Sequence, residues 1–372
     1  MKNKLTCLMT SICACSISMT SYADSPYFSF KDGDGFKRFS VSVGALHVMP
    51  QGKAQPININ TAVAEGEKTK VGDVKADSVL NAIDESVPGA TNKKNLLELA
   101  LAVDSIGLIS YKKDEITYLR GSASGDAVIN GLSNWEASGT GLEADNVTTL
   151  GIMTNYFFTD NISFEVKAGI PPKVDIQGKG QIYAPLSGIA SPSGVGQVIG
   201  DLPLKDDIFI TDLSGHGKVA EARAWTPAFE FQYHFGKTGV NKFRPYIGLG
   251  VLYAYFNDLE MNPNLEADLV AAGHKIANIK LGEAGKALDG VASSANPQVS
   301  FEAKDVFAPV ATAGFTYDFN DRWFAVGSVS YAHLKGETTI SVNDAELGQL
   351  IEAKSDIEIN PILAYAGVGI RF

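Results

Sequence analysis

The chain is 372 residues long and acidic, with 31 basic residues against 42 acidic ones and a formal net charge of −11. That balance argues against nucleic acid as a partner, because phosphate binding needs a basic footprint. Hydrophobic residues make up 45% of the chain, yet beyond the first two dozen residues no uninterrupted apolar run is long enough to cross a bilayer as a helix, so a membrane role would fall to strands.

The opening "MKNKLTCLMTSICACSISMTSYADS" reads as a secretory leader. Lys2 and Lys4 form its basic start, an apolar stretch follows from Leu5, and Ser21-Tyr22-Ala23 offers the small-x-small cleavage pattern. The leader is therefore expected at residues 1–23 and the mature chain from Asp24. Losing the two lysines makes the mature protein two charges more negative than the whole chain. All three cysteines, Cys7, Cys13 and Cys15, leave with the leader, so no disulfide or cysteine metal site is expected in an oxidising periplasm.

Strand-like stretches with alternating polarity then recur, in chain order "KRFSVSVGALHVM" (37–49), "VTTLGIMTNYFF" (147–158), "ISFEVKAGI" (162–170), "AWTPAFEFQYHF" (224–235), "FRPYIGLGVLYAYF" (243–256), "VFAPVATAGFTYDF" (306–319), "WFAVGSVSYAHL" (323–334) and "IEINPILAYAGVGIRF" (357–372). Three connections are tight: Thr159-Asp160-Asn161, "GKTGVNK" and Asn320-Asp321-Arg322. Four are long, at about 50–146, 171–221, 257–305 and 335–356. An even strand number with short turns at one end and long loops at the other predicts an all-β fold, an eight-stranded antiparallel transmembrane β-barrel with long extracellular loops. A soluble sandwich would explain the alternation but not the regular short and long connections, nor the terminal Phe372. Within the loops, "NKKNLLELALAV", "NLEADLVAAGHK" and "NDAELGQLIEA" carry apolar residues at helical spacing and predict short helices.

The stretches "TTLGIMTNYFFTDN", "FRPYIGLGVLY", "DFNDRWFAVGSVSY" and "NPILAYAGVGIRF" together resemble the OmpW family of outer-membrane proteins, and "RFSVSVGALHVMP" resembles that family's first strand. The resemblance runs through all eight strands in order. It implies an eight-stranded barrel in the outer membrane of a Gram-negative bacterium, linked to passage of small hydrophobic molecules, with a best-studied branch that serves alkane uptake. The loops depart from the family, above all the much longer stretch from Gln51 to Asn146. That departure leaves the substrate open and leaves room for a function in the loops.

Other motifs carry little chemistry. "KDGDGF" lacks the twelve-residue spacing and closing Glu of a calcium loop, and "SGHGK" lacks the upstream glycine and following Ser/Thr of a phosphate loop. His47, His216, His234, His274 and His333 show no metal-ligand spacing. Nothing in the sequence assembles a nucleophile, a base and an orienting group, so neither an enzyme nor a cofactor is expected.

Parity along the strands is more informative. In "AFEFQYHF" the aromatic set Phe229, Phe231, Tyr233 and Phe235 is assigned to lipid, which turns Ala228, Glu230, Gln232 and His234 inward. The same rule places Ser40, Ser42, Ser163, Glu165, Lys167, Thr312, Thr316, Asp318, Arg244 and Arg371 inside. By height, Glu165, Lys167, Glu230, His234, Arg244, Asp318 and Arg371 form a charged floor towards the short turns, where paired charges fill a narrow barrel. Leu46, Val48, Leu252, Phe256 and Val310 form an apolar upper lumen, the candidate substrate site. Pro50, Pro171, Pro227, Pro309 and Pro361, with Pro172, sit near the loop-side strand ends, where each removes an N–H from the ladder. They are the candidates for a sideways exit.

The expected function is a passive channel for small hydrophobic molecules that enter between the loops and leave through the wall. The alternative is a surface adhesin or receptor whose loops bind a host, phage or cell-surface partner. Expected partners are outer-membrane lipid, a small hydrophobic substrate, and the barrel assembly machinery through the C-terminal strand ending in Phe372.

Overall fold

The computed structural model describes Tyr27 and residues 31–372; the leader, its cleavage site and the three cysteines lie outside them. Eight strands close into an antiparallel barrel: β1 (Phe39–Met49), β2 (Val147–Phe157), β3 (Ile162–Gly169), β4 (Ala228–His234), β5 (Phe243–Met261), β6 (Val306–Asp318), β7 (Trp323–Ala332) and β8 (Ile362–Arg371). Each pairs with its neighbours in sequence, and β8 closes on β1 from Ser40↔Arg371 to Met49↔Ile362.

The wall is inverted relative to a soluble sheet. Val43, Ile247, Leu249 and Val329 point outward from its middle. Aromatic residues gather at both rims, with Phe39, Tyr156, Phe243, Tyr317, Trp323 and Phe372 at the turn end and Trp225, Tyr255, Phe307 and Tyr331 at the loop end. An apolar band between two aromatic girdles is what a bilayer selects.

The four long connections do not hang as separate loops. They build one module above the barrel with its own hydrophobic core. A four-stranded sheet orders Leu202–Asp212, Gln181–Ser191, Asp126–Asn130 and Glu67–Lys70, and a five-stranded sheet orders Gln298–Ala303, Lys335–Asp344, Gly348–Glu358, Ile57–Thr61 and Asn134–Ala137. The helix Pro263–Lys280 packs against both. Asn262 caps it, accepting from Asn264 N at 2.9 Å with Pro263 at the first position, the start signal that sequence rules favour. The upper half of β5 leaves the barrel and pairs with Lys218–Trp225, which carries Lys173–Lys179 and Gly141–Ala144, so the barrel sheet runs on into the module.

Two of the three helices expected in the loops are present, at Ala90–Val103 and Pro263–Lys280. The third is not. Asn343–Ala353 is a hairpin between Lys335–Asp344 and Gly348–Glu358. Asp344 accepts from the backbone N–H groups of Glu346 and Leu347, both at 2.9 Å, and Gly348 takes φ +75°, so turn chemistry overrides the helix-like spacing. The stretch 224–235 is likewise two strands, not one. It breaks at Thr226 and Pro227, and its first part belongs to the module.

Candidate functional site

The barrel interior is layered. Lys167 on β3 reaches Glu230 on β4 at 2.7 Å and Glu165 at 3.3 Å, and donates to Thr312 Oγ1 at 2.8 Å and Ser330 Oγ at 3.1 Å. Glu165 also accepts from Asn155 Nδ2 at 2.6 Å. The wall makes room for this tier: a Cβ at Gly248 would lie 2.7 Å from Glu230 Oε2. One step lower, His234 meets Ser163 Oγ and Gln232, and Arg371 holds Asp318 at 2.7 Å while lying 4.3 Å over the Phe324 ring. At the turn end, Arg244 pairs with Asp160 at 3.0 Å and donates to Thr238 Oγ1 at 2.9 Å. Met153, Tyr246, Phe324, Val326 and Tyr365 pack among these groups. The space left beneath Glu165 is about 10 Å³, no more than about one water. All seven expected floor residues, Glu165, Lys167, Glu230, His234, Arg244, Asp318 and Arg371, lie in this plug.

Above it lies a cavity of about 260 Å³. Leu46, Val48, Leu252 and Val310 line it, with Met153 and Leu363, and Lys167 and Glu230 form its base. Phe256, expected in the same wall, sits higher. It lines a second cavity of about 90 Å³ between the barrel rim and the module, where Ile176, Phe301 and Ile357 face it. Val48, Pro172, Ala224, Thr226, Leu252 and Leu363 border both spaces.

The wall of the larger cavity has a break. The β3–β4 ladder runs from Ile162↔Tyr233 to Lys167↔Ala228 and stops. Pairing resumes only where Pro172 O accepts from Ala224 N at 3.0 Å and Lys173 meets Arg223. Between these points Ala168, Gly169, Ile170 and Pro171 face Trp225, Thr226 and Pro227 without a ladder bond, and all seven line the cavity. Pro171, Pro172 and Pro227 have no N–H with which to close it. On their other sides both strands are paired: Ile170 N donates to Leu150 O at 3.0 Å, and Tyr253 N donates to Pro227 O at 2.9 Å.

Of the expected exit prolines, then, Pro171 and Pro227 flank the break. Pro309, Pro50 and Pro361 do not. Pro309 sits in an unbroken ladder opposite Val251, its carbonyl accepting from His333 N at 3.0 Å. Pro50 and Pro361 border the smaller cavity, where Gln51 N donates to Ile359 O and Ala332 N to Pro361 O, so pairing continues past them. A proline at an edge opens a wall only when the facing strand also lacks a donor, and sequence alone does not say which prolines face one another.

Sequence reasoning missed Asp160, which lies in a tight turn and is buried at 1% exposure as the partner of Arg244. The signal was the unmatched arginine: an inward cation needs an anion at its own height. Among the described residues no group of three or more His, Cys, Asp or Glu could hold a metal ion.

A closed eight-stranded barrel with an apolar belt, two aromatic girdles and a plugged polar interior is an outer-membrane protein. The profile of the OmpW family matches residues 115–287. Outer membrane protein W of Vibrio cholerae is 26% identical over 283 residues, covering 74% of this chain and 97% of that protein. Outer membrane protein AlkL of Ectopseudomonas oleovorans is 23% identical over 227 residues, covering 61% and 67%. The crystal structure of OprG from Pseudomonas aeruginosa superposes with a TM-score of 0.44 at 16% identity, covering 94% and 99%. The profile match and the likeness to outer membrane protein W support an OmpW family outer-membrane protein, which places the chain in the outer membrane of a Gram-negative bacterium.

Proposed function

We propose that this protein is a passive channel for small hydrophobic molecules, which enter from the loop side, rest in the upper lumen and leave sideways between β3 and β4 into the membrane. The observation that carries this reading is the 260 Å³ cavity with an apolar upper wall, an ion-paired base and an unladdered side. Descent through the floor would put an apolar molecule against Glu165, Lys167 and Glu230 and disrupt their pairing, at a cost of several kcal/mol. Sideways, the molecule meets Ile170, Trp225 and Pro227 and then lipid. The smaller cavity around Phe256 serves as the antechamber. No energy source or cofactor is required, and the loops face the cell exterior.

Uptake of a labelled alkane-like molecule, measured at matched levels of folded barrel, tests the route. Val310→Asp places a charge in the cavity wall and should reduce uptake at least tenfold. Glu230→Gln leaves the apolar wall intact and should change uptake by less than about twofold, since each 1.4 kcal/mol of barrier is a factor of ten. Faster uptake through Glu230→Gln with no effect of Val310→Asp would mean that cargo goes straight down.

A surface-binding role keeps a specific footing as the second reading. The module exposes Leu99, Val103, Ile106 and Val198 to solvent, and clustered apolar residues on a folded surface commonly mark contacts. Loss of attachment with unchanged uptake, after deletion of residues 51–146, would favour it.

A further inference from the structure

Between the two sheets of the module and the helix Pro263–Lys280 lies a third cavity, of about 100 Å³. It shares no lining residue with the lumen cavity or the antechamber. Its wall is aliphatic, from residues such as Ile59, Ile129, Leu186, Leu269 and Ile276. Two lining groups break that pattern. Lys275 lies at the edge where the helix meets Leu202–Asp212. Among the described residues no carboxylate lies within ion-pair distance of it, Asp206 attracting it only from farther off, and its hydrogen bond goes to Phe209 O at 3.3 Å. Phe209 is 47% exposed, so this edge reaches the surface. Trp135 also borders the cavity, and its Nε1–H is buried without an acceptor.

An apolar space of this size stays dry and takes up small apolar molecules. An ammonium at the lip with no carboxylate in ion-pair contact adds a charge-assisted partner for an anion. Burial already pushes the pKa of Lys275 below the usual lysine value, and an adjacent carboxylate would reverse that shift. The remaining polar side chain in the wall, Thr61, is satisfied, donating to Leu132 O at 2.8 Å. What this cavity offers a ligand is thus apolar volume with an ammonium at its lip.

We infer that the module holds a second binding site, independent of the lumen, for a short-chain carboxylic acid: an alkyl tail of roughly four carbons between the sheets and a carboxylate at Lys275. The tail is removed from water beside Ile276 and Leu269, and the head remains at the surface. The site gives the protein a sensor or capture point for small acids outside the membrane, whatever passes through the barrel.

The chain has three tryptophans, so Trp225→Phe with Trp323→Phe leaves Trp135 as the sole reporter in the full-length protein reconstituted in lipid nanodiscs. Titration with 5-bromopentanoate should quench Trp135 saturably, and unlabelled pentanoate should reverse the quenching. Ala184→Leu and, separately, Ala272→Leu fill the cavity from opposite walls and should weaken binding at least tenfold; whichever variant retains the heat-modifiable gel shift and module protease resistance is the one scored. Lys275→Met should weaken pentanoate at least fivefold while leaving 1-bromobutane quenching within twofold. Non-saturable quenching, or full affinity in a folded cavity-filled variant, would overturn the site. Equal pentanoate affinity in Lys275→Met would overturn the acid assignment.

Discussion

Leu249 and Leu350 are the same residue type on strands of the same chain. One stands 71% exposed in the middle of the barrel wall, and the other is fully buried in the module above it. The barrel puts Glu230, Glu165 and Arg244 inside and Leu249, Phe231 and Phe315 outside; the module puts Val342, Leu350 and Val219 inside. Alternation with period two is common to both and does not say which parity is buried. The solvent decides. Lipid takes the apolar face of the barrel, while water leaves the apolar face of the module no choice but to turn inward. The two regions are joined through β5, whose lower half is wall and whose upper half is module, and they therefore differ in what destabilises them.

The largest test separates the cores. Val342→Asp places a carboxylate at a position with 0% exposure in the module and should cost more than about 4 kcal/mol locally. Protease added to intact cells should then degrade residues 51–146 throughout, with the barrel fragment surviving. In the unaltered protein the same protease should cut mainly at the turn of the Ser110–Lys113 and Ile116–Leu119 hairpin, where Lys112 and Lys113 are exposed and Asp114 and Glu115 take positive φ. Equal resistance of both proteins would show that the module is not one cooperative core.

A smaller effect sharpens the contrast on the surface. Leu249→Lys, on the lipid face, should lower barrel stability by about 2–4 kcal/mol in urea unfolding from vesicles. Leu99→Lys, on a module helix at 59% exposure, should change stability by less than about 0.5 kcal/mol. Equal costs would place both residues in the same solvent.

The smallest effect lies at the joint. Lys173 and then Lys218 hydrogen-bond to Glu221, lowering its pKa to about 2. A carboxylate lowered in the folded state contributes stability that is present above its unfolded value near 4.5 and fades as the pH falls towards 2. Protection factors of the Lys218–Trp225 backbone amides, referred to the intrinsic exchange rate at each pH, should therefore fall modestly between about pH 4 and 2, and Glu221→Gln should remove that acid dependence. An unchanged profile in the variant would assign the loosening to another group.

The barrel was nearly all legible in the sequence because bilayer thickness fixes strand length and the lumen fixes parity. Strand ends fell within a few residues of those observed, apart from the stretch divided at Thr226 and the last strand, whose expected first residues Ile357 and Glu358 belong to a module strand. The inward side of Glu230, His234, Arg244 and Arg371 could be read from neighbours two residues away. The module was not legible as a unit, since its sheets draw strands from separate loops: Ile57–Thr61 pairs with Gly348–Glu358 across almost the whole chain. No local pattern encodes such a pairing. The break beside Pro171 and Pro227 was half legible, because the missing donors are visible in sequence but their facing each other is set by the register of β3 and β4.

That break is where the central claim is most exposed. No cysteine occurs in residues 24–372, so Gly169→Cys with Thr226→Cys can be bridged by a short, reducible bis-thiol linker across the break with no competing thiol in that span. The decisive measurement is uptake of a labelled alkane-like molecule before bridging, after bridging and after reduction, at constant folded protein. A fall of at least fivefold on bridging, recovered on reduction and absent in either single-cysteine protein, is the predicted result. Undiminished uptake with the bridge confirmed by mass spectrometry would contradict sideways exit between β3 and β4.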